Sequence, residues 1–87
     1  MTYYTRMTDK FMSNWGAARG RRNVLVVECD TFAQACAIEQ AARRRSEMTR
    51  ISVVENRPRS RRGVLYSWKR FSDMGGSWRE FYSEQTI

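Results

Sequence analysis

The feature that most constrains the fold is the run Asn-Val-Leu-Val-Val-Glu-Cys at residues 23–29, followed at once by Asp-Thr-Phe-Ala-Gln. Uninterrupted aliphatic and β-branched residues over this length predict a central, largely buried strand. Thr31 and Gln34 then have the spacing of a capping box, in which each side chain satisfies a first-turn amide, so a helix must begin here. A buried strand leading directly into a capped helix is the start of a layered α and β arrangement.

The helix is expected over residues 32–45, with Phe32, Ala35, Ile38 and Ala42 as the inward stripe and Cys36 beside it. Small residues on that stripe allow close approach to a sheet. Arg43, Arg44 and Arg45 fall in its last turn, where cations offset the exposed carbonyls, and they read first as a solvated helix end. Residues 50–56, RISVVEN, and 63–68, GVLYSW, predict two further strands joined as a hairpin by an arginine-rich turn. Pro58 suits that loop, and Gly63 can take the positive dihedral needed at its end.

Before the first strand, Thr8 is a candidate cap for a short helix over residues 9–19 that buries Phe11, Met12, Trp15 and Ala18, or for an irregular arm anchored by Trp15. After Trp68 the chain is polar, with Gly75 and Gly76 as a joint and Ser77 opening a last turn. Trp78, Phe81 and Tyr82 on that turn are expected to fold back on the sheet. The expectation is thus an α+β single domain over residues 1–87: an N-terminal helix or arm (1–22), a β-α-β-β core (23–68) with one main helix on a three-stranded sheet, and a C-terminal tail (69–87). Strand order is open between adjacent parallel first and second strands and a split β-α-β form with the third strand between them, the split form being preferred.

A chain of 87 residues buries a small core. Its net charge of +7 comes from 16 basic and 9 acidic residues, and Lys10 and Lys69 are the only lysines. Guanidinium binds phosphate or carboxylate through paired hydrogen bonds, although an arginine bias spread over the whole chain can equally reflect a GC-rich genome. The chain has no histidine, which removes Ser-His and Cys-His nucleophile pairs and the imidazole acid or base. Cys29 and Cys36 alone cannot complete a zinc site and read as buried thiols of a reducing compartment. Glu28 and Asp30 share a side at the end of the first strand, as acids of a metal-dependent nuclease would. Helix-terminal placement of Asp30 and arginine pairing by Glu28 account for them better. No enzyme activity, cofactor or metal is therefore expected. With no apolar stretch long enough for a membrane span or a signal peptide, a cytoplasmic location is expected.

The densest charge lies in ENRPRSRRGVLYSWKRF, residues 55–71. Arg57, Arg59, Arg61 and Arg62 at the hairpin tip, Lys69 and Arg70 at its base, and Tyr66 and Trp68 as stacking rings form the candidate binding site for DNA or RNA. The alternative is an acidic surface of a host protein met by the same arginines, with Trp15 or Trp78 as apolar anchor, the protein then acting as an inhibitor. Structurally, the same residues read as sheet packing plus a soluble hairpin. Tyr66 and Trp68 share a strand face and are expected to be exposed or buried together.

The segments KFMSNWGAARGRRNVLVVECDT and AARRRSEMTRISVVENRPR resemble small open reading frames of tailed bacteriophages. The resemblance covers residues 10–59 and rests on Trp15-Gly16, Gly20, residues 23–31 and residues 45–48. It implies a phage accessory protein acting inside a bacterial cell, and it assigns no individual residue a role.

Overall fold

The computed structural model describes residues 2–10 and 22–82. Strands β1 (Tyr3–Asp9) and β2 (Arg22–Cys29) precede helix α1 (Phe32–Arg43), and strands β3 (Met48–Val54) and β4 (Val64–Arg70) follow it. Two short 3-10 turns, Phe71–Asp73 and Gly76–Arg79, carry the chain back toward the helix. The result is an α+β fold with one helix against a four-stranded mixed sheet in the order β3-β1-β2-β4.

The fourth strand is β1, placed where the sequence suggests a helix cap at Thr8. Thr8 and Asp9 instead pair with Val24 and Asn23 of β2, while the rest of the expected N-terminal helix lies outside the described residues. The physical reason is visible in Tyr-Tyr-Thr-Arg-Met-Thr-Asp, a segment rich in strand-forming residues that alternates between faces. Thr5 and Met7 point into the core and are fully buried. Thr5 occupies an apolar position because its hydroxyl donates to the Ala35 carbonyl at 2.8 Å, so the burial costs no unsatisfied polar atom.

Because β1 is antiparallel to both β2 and β3, the unit β2-α1-β3 is a split β-α-β with β1 in the gap. The split form is the one preferred from sequence, but the strand between is β1 and not the segment after the arginine-rich loop. That segment, β4, pairs in parallel with β2 at the opposite edge. The expected hairpin between β3 and β4 therefore does not form, since the two strands are separated by β1 and β2.

The core lies between α1 and one sheet face. Met7, Val27, Cys29, Ala35, Ile38, Ala42, Phe71 and Met74 are its buried members. The helix begins as expected, with Thr31 accepting from the Gln34 amide at 3.1 Å. The Gln34 side chain reaches one residue further back than in a capping box, accepting from the Asp30 amide at 2.8 Å. Ala35, Ala37, Ile38, Ala41 and Ala42 are its buried positions. Phe32 is not among them: as the first helical residue it stands beyond the packed stripe, 56% exposed, with its ring edge-on to Tyr3 at 5.4 Å.

A bulge in β3 sets the inward residues of that edge. Arg6 pairs with Ser52 and Thr8 with Thr49, so two residues of β3 oppose Met7 alone. Arg50 takes the extra position with φ of 53°, the left-handed conformation that bulges use. The parity change puts Met48, Ile51 and Val53 on the helix side together. It also disrupts an edge that would otherwise be a flat template for another strand. At the C-terminal end, Trp78 and Tyr82 pack against the core, and the second 3-10 turn rests chiefly on α1 rather than on the sheet.

Gly63, just before β4, has φ of +80°, and the space that a side-chain methyl would take there is open. Gly63→Ala is expected to destabilise the fold by about 1 kcal/mol through backbone strain alone. Gly75, at φ of −133° and equally unobstructed, should tolerate alanine with no loss or a gain of about 0.5 kcal/mol. Urea denaturation of the two variants beside the parent checks the opposite signs.

Candidate nucleic-acid interface

Strand alternation assigns the sheet's second face. Thr5 and Met7 face the helix, so Tyr4, Arg6 and Thr8 of β1 face away from it. Through the pairing registers they are joined there by Arg22, Val24, Val26 and Glu28 of β2 and by Val64, Tyr66, Trp68 and Arg70 of β4. On β3 the same face carries Ser52 and Val54. Val24 and Val26 are fully buried on this side, which the helix cannot account for.

The arginine-rich segment crosses this face. Both β3 and β4 run in the direction of β2, so the chain leaving Val54 must return the length of the sheet and cross to its other edge before Val64. A seven-residue strand spans about 20–23 Å, and three strand spacings add about 14 Å sideways, so the shortest path is about 26 Å. Ten peptide steps reach about 33–36 Å when fully stretched. Residues 55–63 therefore form a strap that uses about three quarters of its reach. It is bent at residues 55–56 and closed by a turn in which the Val64 amide donates to the Arg61 carbonyl, and the fixed φ of Pro58 suits such a path.

Three contacts fasten the strap. The Arg57 guanidinium lies over the Trp68 ring, 4.1 Å from its centroid, and its Nη1 is 3.6 Å from Glu28 Oε1. The Tyr66 hydroxyl donates to the Arg59 carbonyl at 3.2 Å. Tyr66 and Trp68 stack on each other, with centroids 5.6 Å apart and planes 16° from parallel. Cation–ring contact and ring stacking each contribute about 0.5–1.5 kcal/mol, and the exposed Arg57–Glu28 pair adds little to stability. Tyr66 is half-buried, whereas Trp68 is exposed at 36%, so the two rings share a face and stack but are not equally covered.

Arg59, Arg61 and Arg62 are exposed and make no ion pair with any of the described residues. Lys69 and Arg70 are exposed at the end of β4. With Glu28, Arg57 and Trp68 these last two line a shallow recess of about 230 Å³. All eight sequence-predicted residues thus lie on the strap or on β4. Arg57 departs from expectation because its charge is committed to Glu28 and to the indole.

A larger groove of about 440 Å³ opens between strap and sheet, lined by Arg6, Ser52, Val54, Glu55, Asn56, Pro58 and the arginines at 57, 59 and 61. Sequence reasoning does not place Arg6, Ser52 or Asn56 there. The signal that could have found Arg6 is the alternation of β1, once Thr5 is accepted as a core residue.

The helix ends at Arg43 with Arg44 as its C-cap, two residues short of the expected end at 45, so only Arg43 reads as the solvated helix end. Arg43 pairs with Glu39 at 3.1 Å, four residues back on the helix. Arg45 pairs with Glu47 at 3.7 Å, reaches the Ser77 hydroxyl and lies 4.1 Å from the centre of the Trp78 ring. Arg79 donates to the Met74 and Phe71 carbonyls. Arg45, together with Arg44 at 5.4 Å from the centre of the Phe81 ring, ties the C-terminal segment to the end of the helix, while the Arg79 bonds are internal to that segment. Trp78 is engaged in this packing, whereas Trp15 lies outside the described residues.

Glu28 and Asp30 line one cavity of about 300 Å³ together with Gln34, Arg70 and Arg79. Glu28 lies 3.6 Å from Arg57, and Asp30 precedes the helix start, its amide donating to Gln34. Among the described residues there is no cluster of three potential metal-ligating side chains, and no helix is long and apolar enough to cross a membrane. Comparison with protein-family models, with curated proteins and with solved structures finds no match for this chain.

Both cysteines are free. Burial pushes the Cys29 thiol up to about 12, with the Asp30 and Glu28 carboxylates adding to the shift and the Thr5 hydroxyl opposing it. Cys36 is raised by burial and by Glu39, but its side chain remains partly accessible. A maleimide or disulfide reagent at pH 8 is expected to modify Cys36 in the folded protein and Cys29 only after denaturation. An unfolded Cys29 ionises first as pH rises, so the folded state binds more protons between about pH 8.5 and 12 and loses stability across that window. Denaturation of Cys29→Ala beside the parent at pH 7 and pH 10 checks it: the parent should lose more stability on going to pH 10.

Proposed function

We propose that this is a non-enzymatic nucleic-acid-binding protein that holds a single strand of DNA or RNA along the strap and β4. The observation that carries the reading is the stacked Tyr66–Trp68 pair beside a strap whose Arg59, Arg61 and Arg62 have no acid partner among the described residues. Backbone phosphates attract such guanidinium groups, and the rings offer apolar surface to bases whatever their sequence. The fastening of the strap at Arg57 and Arg59 also favours binding, because arginines on a restrained backbone lose less freedom when a ligand arrives. A single strand suits this surface better than a duplex, since the rings lie on an edge strand rather than on a projecting finger that would enter a groove.

Within this reading Arg57 acts as an exchangeable contact. A phosphate can replace Glu28 as its partner, and a base can take the place of the guanidinium against Trp68. The resemblance of residues 10–59 to small proteins of tailed bacteriophages supplies the setting of the proposal, a phage-encoded accessory protein at work in a bacterial cytoplasm.

Fluorescence anisotropy of labelled single-stranded DNA and RNA at two salt concentrations tests the proposal. Binding should weaken as salt rises, and Arg59→Ala combined with Arg61→Ala should lower the log–log salt slope by roughly 0.7 for each phosphate contact removed. Trp68→Ala should weaken binding by about 1–3 kcal/mol. Absence of association at low salt, or an affinity indifferent to salt, would rule the proposal out. Salt-dependent capture of an acidic protein with no nucleic-acid binding would move the interface to a protein partner.

A further inference from the structure

We infer that the groove between strap and sheet is a binding site for a terminal phosphate, with Arg6 as its floor. This deepens the reading above, since the same strap would then fix one end of a strand while β4 supports its bases. Arg6 projects from the middle of the sheet, flanked in register by Val26 and Ser52. It is half-buried and has no acid partner among the described residues. A partly buried, unpaired guanidinium loses solvation without recovering it from the protein, so a site that retains one is suited to an anion from outside.

The rest of the lining defines the anion. Four arginines face one carboxylate, Glu55, and Arg57 is already paired with Glu28. The balance is two uncompensated positive charges. A phosphodiester carries one negative charge, whereas a terminal phosphomonoester carries about 1.5–2 near pH 7 and presents three oxygens. The terminal group therefore matches both the charge and the number of donors, and planar guanidinium can bind it in a bidentate manner. Ser52 and Asn56 add neutral donors, while Val54 and Pro58 give an apolar wall for the attached sugar or base. At about 440 Å³ the groove falls in the range of small-ligand sites.

The test compares 3′-labelled oligonucleotides of one sequence that carry either a 5′-phosphate or a 5′-hydroxyl, with inorganic pyrophosphate as a separate ligand followed by calorimetry. The phosphorylated strand should bind about tenfold more tightly, the value of one charge-assisted contact. Arg6→Gln, checked for folding by its thermal transition, should bring that ratio toward one, and Arg61→Gln should reduce it in part. Equal affinities of the two strands for the parent protein, or an advantage that survives Arg6→Gln, would overturn the inference while leaving strand binding intact. If neither strand binds, the wider proposal fails and pyrophosphate alone decides the groove: binding that Arg6→Gln abolishes supports it, and absence of binding overturns it.

Discussion

Parallel placement of β3 and β4 on opposite edges of one sheet is the constraint from which the surface of this protein follows. Two strands that point the same way cannot be joined by a tight turn. The nine intervening residues have to travel back across the sheet, and the α1 face is already occupied. They therefore lie over the other face with little slack and bring their arginines with them. The high density of positive charge is a property of a strap held against β-strands at several points, and this gives the side chains a fixed frame.

The helix side supplies the stability that the strap needs. Thr5, the Arg50 bulge and the small residues of α1 together allow the helix to lie close on three strands. The strap side buries Val24 and Val26 but is otherwise largely polar, and it is fastened by contacts that are individually weak, such as Arg57 over Trp68 and Tyr66 to the Arg59 carbonyl. A fold divided in this way keeps most of its packing on one face and leaves the contacts of the other available for exchange of partners. Glu28 expresses the division: it sits on a central strand, yet its carboxylate serves as a local counter-ion to a group that a phosphate would also attract.

Where local chemistry decides the structure, the chain is readable. The aliphatic run of β2, the Thr31 cap and the positive φ of Gly63 are each dictated by one or a few adjacent residues, and each is found where the residues place it. What the sequence conceals is non-local. β1 is half polar, and its core residue Thr5 is made acceptable only by a carbonyl thirty positions away. The pairing of β4 with β2 rather than β3 depends on β1 filling the gap, so overlooking one strand also produces the false hairpin. The site residues are legible by type, since arginine and aromatic side chains cluster in residues 55–71, but their arrangement is not. Arg6 belongs to the groove only once β1 has a place in the sheet.

Nuclear Overhauser contacts in the labelled protein measure the position of the strap, on which both the charge distribution and the groove depend. The expected result is cross-peaks between the Trp68 indole and the Arg57 side chain, together with a parallel ladder that sets Val24 and Val26 beside Tyr66 and Trp68. Antiparallel contacts between residues 50–56 and 63–68, with the Arg57 side chain remote from any ring, would contradict it.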